Sequence, residues 1–299
     1  MRIGIAVDGS SPSRTGVELV SGLPLGPSDQ VSVIAVAEPP IVFMALPFAQ
    51  APAVADYMDL ALESAEAQAR QVTDHAVERL SGLGCPVTPL VRVGHPAQVL
   101  PQVVEEQGLD LLVLGPRGRG SLGSFLLGSV SQSLLQAMPT SILVARPPTG
   151  PLRRVIVASD GSPSSLAAAR FVAALPLPPD PDIHVLVSVT SWTAGYRDIE
   201  AADYQSLRAA EHERALEIAH ETMAILESSG RAPRPLVRDG DPKREIIDAA
   251  RELDADLVVT GSRGIGGFKG LVLGSVSRGV SMAAPCSVLV VGGPPAPDA

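Results

Sequence analysis

Apolar residues follow two alternating patterns along the chain: short continuous runs of strand length, and longer stretches in which they recur every three or four positions. In the first half, the short runs predict strands at 3–7, 31–37, 87–93, 111–114 and 141–145. The longer stretches predict helices at 10–20, 62–80, 96–107 and 129–138. Strands that alternate with helices are joined by right-handed crossovers and form a parallel sheet. The pattern predicts an α/β fold with a doubly wound, five-stranded parallel sheet, Rossmann-like or flavodoxin-like, in the order 3-2-1-4-5.

The second half of the chain repeats the first. The Asp-Gly-Ser segment at 8–10 recurs at 160–162, an offset of 152 residues. The Gly-Ser-Val-Ser segment at 128–131 recurs at 274–277, an offset of 146 residues, so the second copy is six residues shorter between these points. We predict two tandem domains, residues 1–147 and 152–293, joined by a linker rich in Pro and Gly.

The last strand of each repeat, 141–145 and 287–291, is expected at the edge of its sheet. An apolar edge strand tends to associate with other chains unless it is paired or covered. We therefore predict that these two strands pair with each other in antiparallel fashion, which would relate the two domains by a pseudo-two-fold axis.

A glycine-rich pattern follows the fourth strand of each repeat. It reads G-x-x-G, nine residues, then G-S, and begins at Gly115 and again at Gly261. In a doubly wound sheet the ligand crevice lies beyond the carboxyl ends of the first and fourth strands, where the winding reverses. Glycine lets the backbone approach an anion closely, and the free N–H groups of a helix N-terminus bind phosphate. The serine hydroxyls, Ser129 and Ser131 in the first copy, add hydrogen-bond donors.

Composition and charge restrict the classes of molecule to which the protein is expected to bind. The net charge of −9 argues against a general nucleic-acid binder and against attachment to anionic membranes. No apolar run is long enough to cross a membrane, and no signal peptide is visible, so we expect a cytoplasmic protein. The two cysteines, Cys85 and Cys286, and the five scattered histidines match no metal-ligand or catalytic spacing.

The strand-end Asp together with the G-x-x-G…G-S loop resembles the universal stress protein family, and specifically its ATP-binding branch. The resemblance covers essentially the whole chain as a tandem pair. It implies ATP as the ligand, with Mg²⁺ bound along with the nucleotide. One departure is Pro116, where the second copy has the more usual Ser262, because proline has no N–H to donate.

The resemblance also implies which residues surround the nucleotide. Those expected near the adenosine, ribose and phosphates in the first copy are Asp8, Val36, Gly115, Gly118, Gly128, Ser129, Val130 and, through its hydroxyl, Ser131. Their expected equivalents in the second copy are Asp160, Val189, Gly261, Gly264, Gly274, Ser275, Val276 and Ser277.

We therefore expect an ATP-binding stress-response or regulatory protein with a signalling or survival role, an unknown regulatory protein partner and a further tendency to homodimerise. We assign no catalytic residue and expect at most slow ATP hydrolysis or autophosphorylation. Two alternatives stay open. One is an adenine-nucleotide enzyme on the same fold, a hydrolase or an adenylate-forming enzyme, although no Walker A motif is present. The other is a dimerising scaffold that binds no nucleotide, with the loops as plain connections and Ser129 and Ser275 as ordinary helix caps.

Overall fold

The computed structural model of the protein describes residues 1–39, 52–116, 127–190, 201–264 and 273–292. At 52–56 and 201–204 the description covers the helical backbone alone. The chain divides into two compact units, Met1–Thr140 and Ser141–Ala299.

The first unit alternates strands and helices in the predicted order. Its elements are β1 (Arg2–Ala6), α1 (Ser11–Ser21), β2 (Gln30–Ala37), α2 (Pro52–Arg79), β3 (Val87–Val93), α3 (Pro96–Gln107), β4 (Leu111–Leu114) and α4 (Ser129–Ala137). The strands lie in the order β3-β2-β1-β4, and all three pairs are parallel. The predicted neighbours of the first strand, the second and the fourth, are confirmed.

The second unit contains the whole second repeat and the last strand of the first. Its elements are β5 (Ser141–Val144), β6 (Arg154–Ala158), α5 (Pro163–Ala174), β7 (Asp182–Val189), α6 (Ala201–Glu227), β8 (Arg234–Asp239), α7 (Pro242–Glu252), β9 (Leu257–Gly261), α8 (Ser275–Ala283) and β10 (Ser287–Val291). The strand order is β5-β10-β9-β6-β7-β8. From β8 to β10 this is the predicted order 3-2-1-4-5, which is confirmed here in full.

The predicted pairing of the two final strands is confirmed. Strands β5 and β10 are antiparallel, and Leu143 lies opposite Leu289, its own counterpart in the repeat. Both strands are buried along their whole length. Just beyond β5, the Arg146 guanidinium donates to the carbonyl oxygens of Cys286 and of Ser281 near the end of α8. The pairing therefore covers an apolar edge and is held at its end by a basic side chain.

The register of the strands locates the six-residue difference between the copies. Ala6 lies opposite Ile34, and Ala158 lies opposite Leu186, so the first two strands of the repeats correspond at the larger offset. The third strands, β3 and β8, correspond at the smaller offset. Val36 on β2 lies opposite Arg92, and the equivalent Ser188 on β7 lies opposite Arg238. The shortening lies between β7 and β8.

Among the described residues, no helix combines the length and the apolar character needed to cross a membrane.

We predict that Leu143→Ala lowers the free energy of unfolding by about 2–5 kcal/mol, because truncation of a buried leucine leaves a cavity. Leu143 is 1% exposed in the β5–β10 pair. Leu60→Ala on α2, where the side chain is 65% exposed, is the matched control and should change the value by less than about 0.5 kcal/mol. Guanidinium titration followed by circular dichroism measures both; equal effects would contradict the packing of β5.

Candidate functional site

The carboxyl ends of the first and fourth strands lie side by side in both repeats. Strand β1 pairs with β2 on one side and β4 on the other, and β6 lies between β7 and β9 in the same way. The winding reverses at these two points, as the sequence predicts. Loops that leave neighbouring parallel strands in opposite directions open a crevice between them.

An Asp-Gly turn follows the first strand. The Oδ1 atom of Asp8 accepts hydrogen bonds from the Ser10 N–H at 2.9 Å and the Ser10 hydroxyl at 2.6 Å. Between them, Gly9 has a φ of +79°, which side chains disfavour. Ser10 in turn caps α1 by accepting from the Ser13 N–H at 3.2 Å. The turn holds the Asp8 carboxylate at the start of the helix, at the mouth of the crevice.

The first glycine of each G-x-x-G loop is a packing position. A Cβ on Gly115 would collide with the backbone carbonyl of Pro12 in the first turn of α1. A Cβ on Gly261 would lie 2.6 Å from the carbonyl carbon of Ser164, in the first turn of α5. Glycine is therefore required at both positions by contact between the loop and the preceding helix, whether or not a ligand is bound.

The loop ends at a helix N-terminus that has no side-chain cap. Gly128 occupies the cap position of α4 in an extended conformation, and its N–H donates to the Pro116 carbonyl at 2.8 Å. The first bond within the helix runs from the Gln132 N–H to the Gly128 carbonyl, so the N–H groups of the first turn have no acceptor in the helix. Gly274 and α8 repeat this arrangement, with a Gly274 to Ser262 bond of 2.7 Å.

The two serines of the G-S-x-S segment have different surroundings. The Ser131 hydroxyl is buried and donates to the Gly115 carbonyl at 3.0 Å. In the second repeat the Ser277 hydroxyl donates to the Gly261 carbonyl at 2.6 Å. These two serines tie the helix to the start of the loop, whereas Ser129, like its counterpart Ser275, is exposed.

Pro116 preserves the closure of the first loop, because the Gly128 N–H uses its carbonyl oxygen. The proline lacks a backbone N–H. In the second loop the equivalent N–H, that of Ser262, donates to the Val291 carbonyl on β10 at 3.0 Å. The departure from the more usual serine therefore removes a bond to a strand and leaves the loop-to-helix bond intact.

In the first unit these elements line an open cavity of about 780 Å³. The size is in the range of small-molecule and cofactor sites. Seven sequence-predicted residues line it together: Asp8, Val36, Gly115, Gly128, Ser129, Val130 and Ser131. Gly118 lies outside the described residues, as do the basic residues Arg117, Arg119 and Lys269 near the two loops.

The sequence prediction omitted one wall of this cavity. The wall comes from α2 and the start of α3, and its residues are Ala65, Gln68, Ala69, Val72, His95, Pro96 and Leu100. The helical periodicity predicts the helix at 62–80 but gives no sign of an open space beside it, because Ala65, Ala69 and Val72 are ordinary packing residues. At the rim, the His95 Nε2 atom lies 3.9 Å from the Glu38 Oε1 atom, and both side chains are about half exposed.

One assigned equivalence between the repeats needs correction. The strand register makes Ser188, not Val189, the counterpart of Val36, because Val36 lies opposite Arg92 and Ser188 lies opposite Arg238. Val189 corresponds to Ala37. Since side chains alternate between the two faces of a strand, a shift of one position exchanges the faces.

The second loop lies closely against the Asp-Gly turn. A Cβ on Gly264 would lie 2.5 Å from the Oδ2 atom of Asp160. The Oδ1 atom of Asp160 accepts from the Ser162 N–H at 3.0 Å, as in the first repeat. A substitution at Gly264 would therefore disturb the carboxylate directly, and any loss of binding could not be assigned to phosphate contact alone.

A hydroxyl cluster distinguishes the second repeat. The Ser159 Oγ atom lies 2.8 Å from Thr222 Oγ1 and 3.2 Å from Ser165 Oγ, all buried. The first repeat has Val7 and Ala76 where the second has Ser159 and Thr222. Equivalent positions therefore carry apolar side chains in the first copy and hydroxyl groups in the second.

The potential metal ligands and the two cysteines were also located in the described residues. Within the described ranges, no group of three or more His, Cys, Asp or Glu side chains could hold a metal ion. Both cysteines are free, and burial raises the pKa of the Cys286 thiol to about 11. Burial also raises the pKa of Cys85.

Comparison with known proteins identifies the family. The model of the universal stress protein family matches the chain twice, over residues 1–146 and 151–292. A universal stress protein of Mycobacterium tuberculosis is 34% identical over 245 residues, which cover 75% of this chain and 73% of the relative. The chain belongs to the universal stress protein family.

The lengths over which other family members match agree with two tandem copies of one domain in this chain. A universal stress protein of Bacillus subtilis is 30% identical over 144 residues, which cover 97% of that relative but 46% of this chain. The crystal structure of a universal stress protein from Archaeoglobus fulgidus is similar over 97% of this chain and 98% of that one, with a TM-score of 0.65 and 20% identity. This universal stress protein thus shares the fold of a solved member along nearly its whole length.

We predict that two glycines of the same loop respond differently to alanine. Gly261→Ala should lower the free energy of unfolding by about 1–3 kcal/mol, because its Cβ would meet backbone atoms of Ser164. Gly274→Ala should cost less than about 1 kcal/mol, because its Cβ would approach no atom of the described residues closer than 3.5 Å and its φ of −73° suits alanine. Thermal unfolding compares them, and similar losses would contradict the packing role of Gly261.

Proposed function

We propose that this universal stress protein binds ATP in each repeat and acts as a nucleotide-dependent stress-response or regulatory protein, with at most slow hydrolysis. The observation that carries the proposal is the first-unit cavity, which extends from the ends of β1 and β2 to the uncapped N-terminus of α4. A nucleotide requires a cavity with an anion site for its phosphates at one end and a less polar pocket for its base at the other.

The phosphate end is supported by the first turn of α4. Its N–H groups point out of the helix, and the partial positive charge of a helix N-terminus attracts anions. Gly128 has no side chain to occupy those donors, and the nearby Ser129 is exposed. The arrangement favours a polyphosphate over a neutral ligand.

The nucleoside end is supported by the opposite wall. Small apolar side chains of α2, including Ala65, Ala69 and Val72, face the end of β2 across the cavity. A flat base fits between such surfaces. The Asp8 carboxylate, held by its turn, would repel phosphate, so it faces the hydroxyl and amino groups of the nucleoside.

We propose that Mg²⁺ arrives with the nucleotide. The described part of the chain holds no cluster of three or more potential ligands, and Mg²⁺ commonly binds through substrate phosphates and water. The regulatory protein partner, the homodimer and the cytoplasmic location stay predictions from the sequence.

The test places a negative charge where the phosphates would lie. Ser129→Glu together with Ser275→Glu should reduce ATP binding at least about 100-fold, since carboxylates at both helix N-termini would compete with and repel phosphate. Acidic residues in the first turn stabilise a helix, so the melting temperature should stay equal or rise. Isothermal titration calorimetry with Mg-ATP and a thermal melt measure the two effects.

The matched control is Ser129→Gln with Ser275→Gln, which has the same shape without the charge. It should retain binding within about tenfold of the unchanged protein. If the glutamate variant folds and binds ATP normally, the phosphates do not lie at these helices and the proposal is wrong.

The single variants test whether the two sites differ. Val7 lines the first cavity and its counterpart Ser159 carries a hydroxyl, so we expect the Ser129→Glu and Ser275→Glu proteins to have different dissociation constants for ATP. The expected difference is at least about threefold, the effect of one modest hydrogen bond. Identical constants in the two proteins would argue against the asymmetry.

A further inference from the structure

An unsatisfied hydroxyl lies at the end of β9 in the second unit. Thr260 is 2% exposed, and its Oγ1 atom has no hydrogen-bond partner among the described residues. A buried hydroxyl without a partner opposes folding, because the group has lost its bonds to water. Such a group is unusual in a native protein and calls for an explanation.

The neighbouring residue shows which way Thr260 points. A Cβ on Gly261 would lie against Ser164 in α5. Because consecutive side chains of a strand point to opposite faces, Thr260 points to the other face, where α7 and α8 lie. The start of α8 is bonded to the same strand end through Ser277 and Gly261. Thr260 therefore lies on the face of the sheet that carries α7 and α8, at the strand end to which the first turn of α8 is bonded.

The first repeat shows what this position faces. Ile5 lies opposite Val113, and Val157 lies opposite Val259, so Leu114 is the counterpart of Thr260. Leu114 lines the first-unit cavity together with the first turn of α4. At the same point of the site, the second repeat thus replaces an apolar wall residue by a shorter side chain that carries a hydroxyl.

We propose that the Thr260 hydroxyl hydrogen-bonds a ribose hydroxyl of the nucleotide in the second repeat, so that this site selects ribonucleotides more strictly than the first. The inference rests on the proposed function. With phosphates at α8 and the base toward β7, the sugar lies between them, next to the ends of β6 and β9. A ribose hydroxyl both donates and accepts, which matches the unsatisfied group.

The test uses Thr260→Val in the Ser129→Glu protein, in which the second site alone is intact. Calorimetry compares ATP, 2′-deoxy-ATP and 3′-deoxy-ATP. With Thr260 present, at least one deoxy analogue should bind about 3–10-fold more weakly than ATP. Thr260→Val should weaken ATP by a similar factor, leave that analogue unchanged and so abolish the preference.

The melting temperature of the ligand-free protein provides a second readout, because Thr260→Val should weaken ATP binding without lowering this temperature. Thr260→Val removes an unsatisfied hydroxyl and should leave the melting temperature of the ligand-free protein unchanged or raise it by about 1–3 °C. The matched control is Thr73→Val in the first unit, where a buried hydroxyl donates to the Arg70 carbonyl at 2.8 Å. That change should lower the melting temperature and leave the second site's affinities unaltered.

The outcomes separate the two proposals. If the second site binds ATP and Thr260→Val keeps the same ratio of ATP to both deoxy affinities, the Thr260 inference is overturned and the proposed function stands. Binding by the Ser275→Glu protein without binding by the Ser129→Glu protein also overturns the inference, because the second site is then inactive. If the unchanged protein binds no ATP, the proposed function fails and the inference with it.

Discussion

The backbone at the end of the fourth strand passes the first turn of the first helix so closely that no side chain fits between them. Gly115 meets Pro12 and Gly261 meets Ser164 at this contact. It fixes the start of each glycine-rich loop against the Asp-Gly turn of its own repeat. From there the Ser131 and Ser277 hydroxyls reach back to the same glycines and fix the following helix. The position of the helix N-terminus, and with it the geometry of the candidate anion site, depends on this one steric constraint.

Much of the fold follows from local sequence. Strand β3 and helix α3 have the predicted bounds, 87–93 and 96–107. The buried strands are short continuous apolar runs, and the helices have apolar residues every three or four positions, so each element can be recognised from its local sequence. The pairing of β5 with β10 also followed from one physical argument, that an apolar edge needs a partner.

The cavity was harder to predict, because its wall is made by residues that are distant in sequence and have ordinary core chemistry. Ala65 and Ala69 look like packing residues until β2 is seen across an open space from them. The counterpart of Val36 is Ser188 and not the neighbouring Val189, and the strand register that distinguishes the two cannot be obtained from residue type alone. Thr260 gave no signal at all, since a threonine in a strand is unremarkable until its hydroxyl proves to have no partner.

The sequence repeat and the physical unit do not end at the same residue. Strand β5 carries the last segment of the first repeat, yet it belongs to the second compact unit through its ladder with β10. A fragment that begins at the linker would leave the outer edge of β10 bare, with a row of open N–H and C=O groups beside Leu289. Such an edge is a template for further strands, so the isolated second repeat should associate with itself or aggregate. A fragment that begins before Ser141 keeps β10 paired with β5, so that its own edge is the shorter, four-residue strand β5.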